Sequence, residues 1–364
     1  MVETLAAPAK YYQGPDILRE LYTYIEHIGE KFAVLTDNIV LEIVGDRIRE
    51  GFEGTGATYD VVLFAGESTR EEADRIVELT TRGHHDGIIG IGGGKVTDTA
   101  KLVADISGLP VVIIPTAAAT DAACSAMSVV YDENGTFVVS KKMKKNPDVV
   151  LVDTAVIMGA PLRTFIAGVG DAFACYYEAK ACRKSGAMNY NGGVGTQAAF
   201  AIAELCNKVL RENAVCAKAA VEKKQWSEAL DKTIEANIYL GGVGFENNGC
   251  AIAHGVYNGM TAVIKPFHAM HGEAVAVGTL IQLAAEKVST EEWNDVTDFY
   301  KQMGLPVCFE DLGVKNLDDE LIMKIADAAC TVSPNVHKMP FDVTPALLFD
   351  AIRTVQERNG GSIS

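Results

Sequence analysis

The chain has 364 residues, 48% hydrophobic and 22% charged, enough for a sizeable core and for two domains of roughly 100–200 residues each. Its 48 acidic residues against 32 basic ones give a formal net charge of −16, which excludes nucleic acid as the main partner and disfavours an anionic membrane surface. No apolar run reaches the roughly 18 residues of a transmembrane helix, and the opening "MVETLAAPAKYYQG" has no basic or apolar leader region, so a cytoplasmic protein is expected.

Strands and helices then alternate. "KFAVLTD" (Lys31–Asp37) reads as a buried strand, followed by an amphipathic helix near Asn38–Phe52. "YDVVLFAG" (Tyr59–Gly66) reads as a second strand, and Ser68 with Glu71 reads as a capping box opening an amphipathic helix, "TREEADRIVELTTRGH". "GIIGIGG" is a third strand, "VVIIPT" (Val111–Thr116) a fourth, and "DVVLVD" (Asp148–Asp153) returns to the same sheet. Continuous β-branched runs separated by helices predict a parallel sheet covered on both faces. "SVVYDENGTFVVS" (Ser128–Ser140) interrupts it as a hairpin around an Asn-Gly turn. From about Pro161 the texture becomes Ala-rich and helical with no convincing strand, broken by "MNYNGGVG" and "GGVGFENNG" as Gly/Asn-rich turns. The boundary is placed near residue 160, giving an α/β domain over 1–160 and an all-helical domain over 161–364. None of the eight cysteines forms a C-x-x-C pair, and they are expected as buried reduced thiols.

Two constellations carry chemistry. After its strand, Gly92, Gly93 and Gly94 suit either a tight strand–helix turn or a phosphate cradle, in which small residues let a diphosphate approach the first amides of the next helix. Neither the G-x-G-x-x-G fingerprint nor the P-loop fits, because Lys95 is followed by Val96 and Thr97. Asp37, at the end of the first strand, suits either a ribose contact that favours NAD over NADP or a helix N-cap. In the second half, Asp171 follows two glycines at an expected helix start, and three of the seven histidines, His254, His268 and His271, fall in apolar surroundings. Any one alone reads as a core histidine; with a carboxylate they read equally as a metal site, and two imidazoles plus one carboxylate leave open the positions a Lewis acid needs. Tyr257 lies three residues after His254, on the same helical face.

The blocks "GIGGGKVTDTAK", "PTAAATDAACSAMSVVY", "GVGDAFACYYEA", "GFENNGCAIAHGVYNG" and "HAMHGEAVAVGTL", in one order along essentially the whole chain, closely resemble the glycerol dehydrogenases of the iron-containing (group III) alcohol dehydrogenase superfamily. The resemblance implies an N-terminal α/β dinucleotide-binding domain and an all-α C-terminal domain, the dehydroquinate synthase-like architecture, with the active site in the cleft between them. It implies NAD, held at Asp37, Gly92, Gly93, Gly94, Lys95, Asp98, Thr116, Thr120, Ser125, Met127 and Tyr131. It implies one divalent metal, zinc first and iron as the alternative, on Asp171, His254 and His271. Asp121 falls at a substrate-hydroxyl contact, and Tyr257 and His268 stand near the substrate. A homo-oligomer, an octamer by analogy, is implied too.

The chain departs from the family pattern in four places. Ala119 stands for a serine, Met127 for a leucine, Tyr257 for a histidine, and "GFENNG" for "GFESGG". The leading expectation is NAD-dependent oxidation of a small polyol or vicinal diol, glycerol to dihydroxyacetone first. The alternatives are the same chemistry on a 2-hydroxycarboxylate or amino alcohol and, lower, a dehydroquinate synthase-type lyase. The lyase would need several basic residues near the histidines, where only Lys265 stands.

Overall fold

A computed structural model describes residues 1–133, 135 and 137–363. The strands are β1 (Glu3–Thr4), β2 (Lys10–Gly14), β3 (Lys31–Thr36), β4 (Thr58–Leu63), β5 (Gly87–Gly92), β6 (Val111–Pro115), β7 (Met127–Tyr131), β8 (Phe137–Lys142), β9 (Val149–Asp153) and β10 (Val194–Gly195). Six of them form one parallel sheet in the order β2-β9-β6-β5-β3-β4. The register Ala33↔Ile88 and Gly92↔Pro115 brings the carboxyl ends of β3, β5 and β6 side by side, which is where open α/β sheets bind ligands.

Alternation along the strands divides the core. Phe32, Val34, Ile89, Ile91, Val112, Ile114, Val149 and Leu151 face one side, under Leu18, Leu21 and the helix Asn38–Phe52. Ala33, Leu35, Ile88, Val111, Ile113, Val150 and Val152 face the other, and their cluster continues without a break into the helical half as far as Val355. That half holds the helices Leu162–Ser185, Gln197–Lys223, Gly241–Asn248, Ile252–Val263, His271–Glu286, Thr290–Met303, Asp319–Val332 and Pro345–Asn359.

Several expectations are corrected. The N-cap of helix Arg70–Gly83 is Thr69, whose hydroxyl accepts from Glu72 N at 3.0 Å, while Ser68 is buried and its carbonyl accepts from Tyr131 N. β2 is a polar strand at the sheet edge, so neither alternation nor an apolar run announced it. The second half is not strand-free, because β10 pairs with β1 in a two-residue ladder. "GGVGFENNG" is a helix rather than a turn: a Cβ on Gly242 would lie 2.5 Å from Asp121 O and one on Gly244 2.5 Å from Cys175 Sγ, so these glycines serve close packing. Asp171 stands in the middle of helix Leu162–Ser185, not at its start. Six cysteines are buried, but Cys216 is exposed and Cys330 half-buried, all of them free. The hairpin strands β7 and β8 pair antiparallel as expected; Asn134 of its turn lies outside the described residues.

Candidate functional site

The glycine segment sits at the mouth of the sheet. β5 ends at Gly92, Gly93 caps the helix Gly94–Ser107, and Thr97 N donates to Gly93 O at 3.0 Å. The first amides of that helix have no intrahelical acceptor. A Cβ on Gly92 would meet Val96 at 2.9 Å, so Gly92 serves the turn; over Gly93 and Gly94 there is nothing within 4 Å. Two adjacent backbone positions are therefore open to a ligand.

Asp37 caps helix Asn38–Phe52 by accepting from Val40 N at 2.8 Å through Oδ1. Lys95 is paired with Glu67 at 2.6 Å and lies 6.0 Å from the Tyr131 ring centroid. Thr116 N donates to Gly92 O at 3.1 Å. Thr120 Oγ1 accepts from Ala122 N, and the buried Ser125 hydroxyl donates to Ala122 O. Met127 opens β7, and burial raises the Tyr131 phenol well above its usual value. Asp98 is occupied within the protein: its carboxylate lies 3.1 Å from Lys101 Nζ and accepts from Val129 N at 3.1 Å. Buried Lys101 also donates to Ala122 O and Met127 O.

From Thr116 the chain crosses to the helical half. A Cβ on Gly168 would lie 1.8 Å from Ala118 O, and Asn237 Nδ2 donates to that same carbonyl. This seating brings Asp121 N to Asp171 Oδ2 at 3.3 Å. Helix His271–Glu286 is drawn in equally closely: a Cβ on Gly272 would lie 1.8 Å from Ala167 O, and one on Gly170 2.5 Å from Gly272 O. Glu273 holds Arg163 through bonds of 2.6 and 2.7 Å and accepts from Met270 N, fixing the turn from which His271 projects.

The result is a cluster in which Asp171 Oδ1 stands 3.4 Å from His254 Nε2 and 3.1 Å from His271 Nε2. One ligand atom from each lies within 4.8 Å of the others. Asp171 is fully buried and, among the described residues, its Oδ1 has no hydrogen-bond partner. Burial alone would raise its carboxyl, but His271 and His254 together hold it well below the usual carboxylate range. Asp121 behaves in the opposite way: burial first, then the Asp171 carboxylate, push it well above that range, and its Oδ2 is also unpartnered. Tyr257 sets its ring edge-on against His271, centroids 4.4 Å apart at 86°. His268 is exposed on the segment between the two histidine helices, outside the cluster of three.

Residues 8–154 match the family model described as iron-containing alcohol dehydrogenase. The chain is 41% identical over 352 residues to a glycerol dehydrogenase of Escherichia coli O6:H1, covering 97% of this chain and 96% of that one. The chain belongs to the iron-containing alcohol dehydrogenase family. It is also 38% identical to a glycolaldehyde reductase of Halobacterium salinarum, with 98% of each chain covered. The crystal structure of a probable glycerol dehydrogenase from Sinorhizobium meliloti 1021 superposes with a TM-score of 0.92 at 35% identity, covering 99% of this chain and 100% of that one. Membership in this alcohol dehydrogenase family makes the chain an alcohol dehydrogenase and implies NAD and a divalent metal.

The residues present fit both groups. An unpartnered buried carboxylate oxygen facing two imidazole nitrogens is a donor set for a borderline divalent cation, and the open glycines at a helix N-terminus suit a diphosphate. Sequence reading missed Glu178, whose carboxylate lies 2.6 Å from His254 Nδ1. Its signal was present: Glu178 follows Asp171 by seven residues in the same helix, within the quoted "GVGDAFACYYEA". It also missed the Arg163–Glu273 pair, for which spacing offers no cue, and the buried Lys101, which stands at i+3 from Asp98.

Proposed function

We propose that the chain transfers a hydride reversibly between NAD and the carbinol carbon of a small polyol or vicinal diol, glycerol to dihydroxyacetone first. The observation that carries this reading is the buried Asp171 Oδ1, unpartnered and facing two imidazole nitrogens. Likeness along nearly the whole chain to proteins named glycerol dehydrogenase supports the substrate class. The relative named glycolaldehyde reductase favours a second reading, reduction of a small hydroxyaldehyde by the same site.

In this reading Asp171, His254 and His271 hold the divalent cation, zinc first and iron as the alternative. Bound there, the cation supplies Lewis acidity toward a substrate hydroxyl and NAD supplies the hydride acceptor. Asp121 offers its free carboxyl oxygen to the substrate beside Asp171. Tyr257 and His268 are the remaining substrate contacts, Tyr257 as a neutral phenol because burial and the Asp171 charge raise it. Gly93, Gly94 and the amides behind them hold the pyrophosphate after the turn at Gly92, with Lys95 exchanging Glu67 for the anion. Asp37 takes the adenosine ribose through the oxygen that the cap leaves over. Thr116, Thr120, Ser125, Met127 and Tyr131 line the nicotinamide side, and Asp98 braces the hairpin. The two domains divide near residue 160. A cytoplasmic homo-oligomer, octameric by analogy, completes the reading.

A substrate panel tests it: glycerol, 1,2-propanediol, a 2-hydroxyacid, glycolaldehyde and a phosphorylated sugar acid, with and without chelator, and metal analysis of the same sample. Chelator-sensitive polyol turnover is expected. His254→Ala should lose metal and turnover while NADH binding, read by fluorescence, survives. A His254→Ala protein with full metal content and normal turnover overturns the assignment.

A further inference from the structure

We propose that Glu178 is a positioning residue that keeps the His254 proton on Nδ1 and so leaves Nε2 as the ligating atom, an inference that rests on the metal centre proposed above.

Helix Leu162–Ser185 carries both carboxylates that meet this one ring. Asp171 and Glu178 lie seven residues apart, close to two helical turns, so both face the same side. Asp171 Oδ1 approaches Nε2 at 3.4 Å and Glu178 Oε2 approaches Nδ1 at 2.6 Å. The second oxygen, Oε1, accepts from Ala251 N at 2.7 Å and His254 N at 3.0 Å. Glu178 is fully buried. With Oε1 taken by two backbone N–H donors, Oε2 is the acceptor left for the ring, and the nitrogen facing it carries the hydrogen. A partner on the far nitrogen of a ligating histidine fixes its tautomer and ring orientation.

The same cluster admits another arrangement, because one ligand atom each of Glu178, Cys250 and His254 also lie within 4.8 Å of one another. A second cation there would need the Nδ1 lone pair. The short Nδ1–carboxylate contact uses that nitrogen as a donor instead, so one metal per chain is expected.

The tautomer argument makes Glu178→Gln an informative variant. Gln has the same shape, and the two backbone amides at Ala251 and His254 hold its oxygen where Oε1 stands. Its NH₂ then faces Nδ1. Two donors cannot share that contact, so the imidazole must move its proton to Nε2, the atom meant for the metal. Glu178→Asp keeps an acceptor and should lie between native and Gln.

The test is metal affinity, not turnover. Metal-free protein is titrated with Zn²⁺ against a chromophoric chelator, and its melting is followed in parallel. Expected are one Zn²⁺ per native chain, an affinity lower by about 10–100-fold in Glu178→Gln, partial recovery in Glu178→Asp, and a metal-free Glu178→Gln that melts close to native. Native affinity in Glu178→Gln overturns the inference. So does an affinity loss that only tracks a lower melting temperature, with Asp no better than Gln, and so does a second tight Zn²⁺ per native chain. If the native chain binds no Zn²⁺, or His254→Ala keeps it, the metal centre itself fails, and that result is distinct from a failure at Glu178 alone.

Discussion

Asp37 holds the start of helix Asn38–Phe52 with one oxygen and, among the described residues, the other shows no partner, so cap and ribose contact are compatible roles. Asp37→Asn separates them, because the amide oxygen still caps while the charge that repels a 2′-phosphate disappears. The NAD-over-NADP ratio of kcat/KM should narrow by about one to two decades, roughly 1–3 kcal/mol, with melting unchanged. An unaltered ratio would reduce Asp37 to a cap. Tyr257 is the residue whose identity bears most on substrate choice. It follows His254 by about one helical turn, and its ring sits against His271. Tyr257→Phe keeps the packing and removes the donor; Tyr257→His substitutes a smaller ring that titrates near neutrality. Measured as kcat/KM for glycerol, 1,2-propanediol and a 2-hydroxyacid, His should shift the ranking toward glycerol more than Phe does. If neither moves it, the ring only packs. At this scale the sequence showed the ligand candidates, because an imidazole or carboxylate in an apolar stretch stands out. Glu178 stood in the same apolar stretch and passed unread, because only the fold brings it against His254 Nδ1.

The elements differ in legibility for physical reasons. β3 and helix Asn38–Phe52 could be read because an apolar run and a capping Asp mark the strand end and the helix start. The Gly241–Asn248 helix could not, since glycine signals a turn locally and only the packed partner shows that it serves close approach. That difference yields a paired prediction. Gly93 has φ −79° and ψ −171°, a conformation alanine adopts, and its Cβ would meet nothing within 4 Å. Gly93→Ala should therefore melt within about 0.5 kcal/mol of native yet bind NADH at least about tenfold more weakly, because the methyl fills the cradle. At Gly272 the methyl would lie 1.8 Å from Ala167 O, backbone that cannot swing aside. Gly272→Ala should cost about 1–3 kcal/mol or more and weaken the metal site by parting Asp171 from His271. Calorimetry and NADH fluorescence on the two variants check both halves. Undiminished NADH binding by Gly93→Ala would remove this loop from the cofactor site.

At the scale of the whole molecule the two halves share one core, since the cluster on one face of the sheet runs into the helical half as far as Val355. The sequence's change of texture near Pro161 marks a change of architecture, not a break in packing. Polar contacts reinforce the junction. Glu246, fully buried on helix Gly241–Asn248, accepts from Ala126 N at 3.2 Å and from Asn146 Nδ2 at 2.6 Å, and that amide also donates to Cys124 O. Burial raises the Glu246 carboxyl, while its bonds to Asn146 and Ala126 oppose the shift. Glu246→Ala would leave Ala126 N–H and one Asn146 hydrogen without acceptors, at about 1–3 kcal/mol each. Because the core is continuous, this loss should lower a single calorimetric transition without splitting it into two. Ala126 lies between Ser125 and Met127, so the same change should raise the KM for NAD. Metal content should stay at the native level, because Glu246 touches none of Asp171, His254 and His271. Two separate transitions in the variant would mean that the halves are held together by this junction and not by their shared core.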